Sequence, residues 1–189
     1  MKKFKSLFLF TVFLMTGTCT FAQSKIMQIY KYGRIANVID ASQIDSIKFI
    51  GDKELILQIK EKAVDTLTIG PNSFVLAAYL WRDFMPVSPP NGKPMISINW
   101  LISTDSVKIP YNISMERQYV IYEDKIWVAD YENEAPTPSL PIFKLERVSR
   151  NGPKWEPRIY VDVISQIHDS ESKKDYFIER ENVYVIRSD

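Results

Sequence analysis

RIYVDVISQIH, residues Arg158–His168, alternates apolar and polar side chains along most of its length. Ile159, Val161, Val163 and Ile167 fall on one face, and Asp162, Gln166 and His168 on the other. A period of two with β-branched residues is the pattern of a half-buried strand. The same composition recurs in Met95–Ile102 (MISINWLI), Gln118–Glu123 (QYVIYE), Lys125–Tyr131 (KIWVADY), Pro141–Val148 (PIFKLERV) and Glu181–Arg187 (ENVYVIR). Between these runs lie breakers such as Pro86–Pro94 (PVSPPNGKP), Asn133–Pro141 and Ser149–Pro157 (SRNGPKWEP). Short strands separated by Pro, Gly and Asn turns predict an all-β chain, an immunoglobulin-like antiparallel β-sandwich, over residues 71–189. Ser73–Asp83 (SFVLAAYLWRD) is ambiguous, because Ala77, Ala78 and Leu80 favour helix. The alternation of Val75, Tyr79 and Trp81 favours a strand, which is the reading preferred here.

Residues 23–70 read as a smaller β-hairpin segment ahead of the sandwich. Tyr32-Gly33 is placed as a turn between Ile26–Lys31 and the strand-like run ending at Ile39. Ile44–Ile50, Gly51-Asp52 and Glu54–Lys60 (ELILQIK) suggest a second hairpin, and Ala63–Ile69 a further strand. So short a piece is expected to pack on the larger domain.

The chain of 189 residues is 46% hydrophobic and 25% charged, the balance of an ordinary globular protein. With 24 Lys+Arg against 23 Asp+Glu, nothing points to nucleic acid as a partner. One Cys and one His exclude a disulfide framework, a Cys/His zinc site and the common His-dependent triads. No cofactor, metal or catalytic residue is expected.

Residues 1–22 have the layout of a secretory signal peptide. Lys2, Lys3 and Lys5 precede the apolar Ser6–Met15, and Thr20 and Ala22 stand where a cleavage site wants small residues. The expected mature chain begins at Gln23 and is periplasmic or associated with the outer membrane or cell surface. The competing reading is lipidation at Cys19, the only route by which this chain would engage a membrane. The Thr residues before Cys19 fit a lipoprotein box poorly, so soluble export is preferred.

Tyr79–Ile96 (YLWRDFMPVSPPNGKPMI), followed by KIWVADY and RIYVDVI, resembles an uncharacterised secreted or lipoprotein family of Bacteroidales-type bacteria. Ile29–Ile50 (IYKYGRIANVIDASQIDSIKFI) resembles the opening of many exported chains from the same bacteria. The resemblance implies an envelope protein with an immunoglobulin-like sandwich and no established activity. It also implies O-glycosylation at Asp-Ser/Thr followed by an apolar residue, a pattern met at Ser46, Thr66 and Ser106.

His168 alone offers no metal site and reads as a surface residue. Asp130, Glu132 and Glu134 could present oxygens to calcium, but a solvated acidic loop is the preferred reading. Trp100, between Ile98 and Ile102, is assigned to the core. Trp81, Arg82 and Asp83 lead into the long Pro-rich loop, and Trp155 lies in another break, so these four are the candidate ligand-binding residues. A binding or assembly module with a protein partner is the leading function, and glycan capture the alternative. A carboxylate hydrolase is third, and it requires two acids in one cleft, at least one with a raised pKa.

Overall fold

The computed structural model describes residues 26–31, 34–40, 50–132, 134, 137 and 139–189. Two compact units emerge, residues 1–49 and 50–189. In the first, β1 (Ile26–Lys31) pairs antiparallel with β2 (Arg34–Asp40), with an irregularity between Ile29 and Tyr30. The turn expected at Tyr32-Gly33, residues 1–22 with Cys19, and Ser46 lie outside the described residues.

Among its described residues, the second unit is all-β apart from one short helix, α1 (Asp52–Lys60). The strands are β3 (Ala63–Val64), β4 (Thr66–Ile69), β5 (Asn72–Asp83), β6 (Ile96–Ser103), β7 (Ile113–Tyr122) and β8 (Lys125–Asp130). They continue with β9 (Lys144–Ser149), β10 (Tyr160–Asp169) and β11 (Lys174–Ser188). All nine join one sheet, in the order β8-β7-β10-β11-β5-β6-β9, with β3 beside β11 and β4 beside β5. An isolated bridge between Glu132 and Val148 links the segment after β8 to β9. The strands assigned to 73–83, 95–102 and 125–131 thus form, while residues 50–70 belong to the sheet-bearing unit and not to an N-terminal segment ending at 70.

Glu54–Lys60, read above as a strand, is helical. Asp52 and Glu54 lie in the first turn and Lys60 in the last, which suits the helix dipole. Leu55, Ile56 and Ile59 fall on one helical face and pack on Tyr119, Ile121 and Ile164, leaving Leu57 exposed. This cover also explains Ile164, the apolar residue on the otherwise polar face of β10.

β11 bends the sheet. Lys174–Tyr184 pair with β10, and Val185–Ser188 pair with β5 in parallel. Near the end of the β10-paired stretch, Glu181 and Asn182 together face Asp162, and Asn182 adopts φ 56°. Asn tolerates this left-handed backbone better than most residues, and its N–H donates to Asp162 Oδ1 at 3.1 Å. An extra residue at such a bulge raises local twist and re-aims the strand. The curl lets Phe74, Leu76 and Leu80 of β5 share one core with Val120 of β7 and Val161, Val163 and Ile167 of β10.

Asp169 anchors the β10–β11 turn, accepting from Asn112 Nδ2 and Ser172 Oγ, each at 2.6 Å, and from Glu171 N at 3.1 Å. These donors, led by Ser172 and Asn112, hold its carboxyl down at about 2. Because the folded pKa lies below the unfolded one, the contribution to stability is present in full above the ordinary carboxylate range and is lost as pH falls towards 2. Asp169→Asn is therefore expected to be less stable than the parent at pH 7, with the gap closing between pH 4 and 2. Melting curves across that range test this, and a gap independent of pH contradicts it.

Candidate functional site

The four candidate residues do not form one site. In β5 the inward positions are Phe74, Leu76, Ala78, Leu80 and Arg82, so Trp81 points to the opposite face from Arg82. Arg82 is buried at 1% exposure. Its guanidinium donates to the carbonyls of Lys93 at 3.1 Å, Lys154 at 3.3 Å and Trp155 at 2.8 Å, and to that of Asn91. It thereby ties the Pro-rich 84–94 loop to the 150–157 loop. Burial lowers its pKa from the ordinary arginine value, Glu156 acting against the shift.

Asp83 pairs with Lys93 at 2.7 Å and not with Arg82. The Lys93 ammonium and the Met85 N–H hold its carboxyl below the usual range. The Phe84 ring lies 4.8 Å from the Arg82 guanidinium carbon and 4.0 Å from that of Arg187. Gly92, at φ +68°, fits under Phe84 because a Cβ there would meet the ring at 2.7 Å. Trp155 packs on the core edge beside Tyr122, ring centroids 5.6 Å apart, and meets Arg82 through its backbone carbonyl. Thr66 is exposed on β4, and Ser106 is exposed in a turn at φ 60°.

β6 reverses the expected placement of its side chains. Ser97, Asn99, Leu101 and Ser103 are buried inward, while Ile96, Ile98, Trp100 and Ile102 turn outward. Trp100 is therefore not a core residue; its indole N–H donates to Glu146 at 2.6 Å on the outer face. The inward polar groups form a network that leaves Asn99 Oδ1 and Gln118 Nε2 buried without a partner among the described residues. Asn99 Nδ2 donates to Gln118 Oε1 at 2.7 Å and to Ser97 Oγ at 3.1 Å, and Tyr131 OH meets Ser165 at 2.5 Å. Burial raises the Tyr131 phenol well above its ordinary pKa, so it stays protonated.

On the outer face, β5 adds Val75, Ala77, Tyr79 and Trp81 opposite Ile102, Trp100, Ile98 and Ile96. Neither buried cluster includes these eight residues. Tyr79 and Trp81 rings lie 5.4 Å apart, and Tyr79 is 42% exposed. Tyr184, one residue ahead of the Val185–Leu80 pair, continues the aromatic row towards Tyr160, whose ring is 5.3 Å away.

No family model, curated protein or solved structure matches this chain.

Two clefts remain. One, of about 550 Å³, opens where β5 and β11 part and is lined by Asp65, Thr66, Glu179, Glu181 and their neighbours. Burial raises the Glu179 pKa above the ordinary carboxylate range, Lys60 opposing the shift. The other, of about 600 Å³, lies on the outer face of β7, β8 and β10 and includes Asp130 and His168. No group of three or more metal-ligating side chains that could hold an ion occurs among the described residues, and no described helix is long and apolar enough to cross a membrane.

Proposed function

We propose that this chain is an exported, non-catalytic envelope protein, a binding or assembly module that engages a protein partner. The observation that carries the reading is the reversed β6. Strands normally spend their apolar side on the core, whereas this one turns Ile96, Ile98, Trp100 and Ile102 outward beside Tyr79 and Trp81. Aromatic residues with a polar edge, set among aliphatics, are the side chains that dominate protein interfaces. Export rests on the charged, apolar and small-residue order of residues 1–22.

A photoreactive phenylalanine at Tyr79, introduced in the native host, tests the surface. We expect one recurrent protein adduct, absent when the same group replaces Glu171 in the β10–β11 turn. Trp81→Ala should lower its yield about tenfold or more while the protein stays folded, the scale of an interface hot spot. Equal labelling at both positions overturns the reading. The intact mass of the envelope-purified protein tests export: a start at Gln23 or a lipidated Cys19 agrees with it, and retained Met1 does not.

The carboxylate-hydrolase reading has the cleft holding Asp65, Glu179 and Glu181 in its favour. It requires glycoside turnover that Glu179→Gln abolishes; the binding reading expects none from the parent protein.

A further inference from the structure

The cleft on the outer face of β7, β8 and β10 is built from polar side chains that hydrogen-bond to their neighbours. Its lining is Glu116, Arg117, Asp130, Tyr131, Gln166 and His168. The β7–β10 register shifts so that Met115 faces Ile167 and Arg117 faces Gln166, leaving Glu116 as the extra residue of a bulge. Two consecutive side chains of β7 therefore reach the same cleft. Arg117 and Asp130 are opposite each other across β7 and β8 and pair at 2.6 Å.

Each remaining polar group is steered from outside. Ser114 donates to Glu116, and the Tyr119 hydroxyl donates to Gln166 Oε1 at 3.3 Å. His168 Nδ1 meets Asp175 Oδ1 at 2.7 Å, which turns the other ring nitrogen away from that carboxylate. Tyr131 borders the cleft with its N–H bonded to the Glu116 carbonyl at 3.1 Å, while its hydroxyl is engaged inward with Ser165. Preorganised polar groups of this kind orient a ligand without the entropic cost of ordering them on binding.

The chemistry of the lining selects among ligands. Arg117 neutralises Asp130, and Glu116, bonded to the neutral Ser114, disfavours an anion. The five groups other than Tyr131 mix donors and acceptors, which suits neither a fatty chain nor an apolar side chain. Neutral hydroxyls, each both donor and acceptor, satisfy such a set.

We infer that this cleft binds a neutral sugar unit, with Glu116 and Asp130 accepting from hydroxyls and Gln166 and His168 fixing the ring's orientation. The inference rests on the reading of the chain as a non-catalytic binding module and gives it a second, carbohydrate-binding surface, separate from the aromatic face of β5 and β6.

The test is a titration of the isotopically labelled full chain with maltose, cellobiose, lactose and diacetylchitobiose, followed by backbone amide and imidazole resonances. We expect saturable shifts with at least one sugar, confined to residues 114–118, 129–131 and 165–168. Gln166→Ala and His168→Ala should each weaken binding about tenfold, the scale of losing one oriented hydrogen bond to a buried ligand group. His168 is partly exposed, so its variant should keep the parent melting temperature even where Gln166→Ala does not. No shift with any sugar at millimolar concentration overturns the inference, as do shifts centred on Tyr79 and Trp81. The sugars are recovered and analysed after the titration. Intact sugar with localised shifts supports both readings; cleaved sugar with localised shifts supports the cleft and defeats the non-catalytic reading.

Discussion

Replacing Arg82 by alanine is expected to destabilise the protein by about 3–5 kcal/mol, several charge-assisted hydrogen bonds at about 1.5–3 kcal/mol each that do not add fully. The side chain is 1% exposed and serves four backbone carbonyls, Asn91, Lys93, Lys154 and Trp155, on two different loops. Removing it leaves those carbonyls without their guanidinium donor and unties both loops from the end of β5. The Phe84 ring also loses one of the two guanidinium groups flanking it. Arg82→Lys should recover less than half the loss, since one ammonium cannot reproduce a planar fork addressed to several carbonyls. Urea unfolding of the three proteins measures this. A loss below about 1 kcal/mol, the range of an ordinary surface change, would show that the loops hold their places without the guanidinium.

This result bears on how far the binding residues could be read in advance. An Arg flanked by Trp and Asp beside a long loop looks like a ligand site, because such residues are usually exposed. The alternation of β5 itself contains the correction: Leu80 is inward, so Arg82 is inward and Trp81 outward. What the sequence does not contain is the set of carbonyls that makes an inward Arg tolerable. They arrive from residues 9 to 73 positions away.

The all-β character was legible because β10 alternates along most of its length and Pro- and Gly-bearing breaks separate many of the β-branched and aromatic runs. Two elements misled for opposite reasons. In α1, Leu55, Leu57 and Ile59 alternate as a strand would, while Leu55, Ile56 and Ile59 also make a helical face; only the patch of Tyr119, Ile121 and Ile164 decides between them. In β6, the rule that the apolar side faces the core gives the inverse of the observed orientation. The polar side enters because Gln118 of β7 supplies a partner for Asn99, and strand neighbourhood is not encoded within β6. The sugar cleft was hidden by the same limitation. Its residues come from three strands, and the bulge at Glu116 that assembles them depends on pairing register, which no single segment specifies.

Leu80→Ala should cost roughly 2–5 kcal/mol, the range for emptying a fully packed leucine site. Leu80 is fully buried on an interior strand, between Ser97 of β6 and Val185 of β11, and its neighbours are fixed by ladders on both sides. They are poorly placed to collapse into the space, which favours the upper part of the range. Trp81→Ala, the next residue, should cost only about 1–2 kcal/mol despite removing a larger side chain, because it loses partial burial and one tilted ring contact with Tyr79. Denaturant unfolding of both variants compares them directly, and the ordering is the informative quantity. If Trp81→Ala were the more damaging, the outer face of β5 and β6 would be carrying core-like packing within the folded chain, and its aromatic row would no longer be free to receive a partner. If Leu80→Ala is the more damaging, tryptophan at 81 contributes little that folding requires, and its place beside Tyr79 and opposite Ile96 is best accounted for by what it binds.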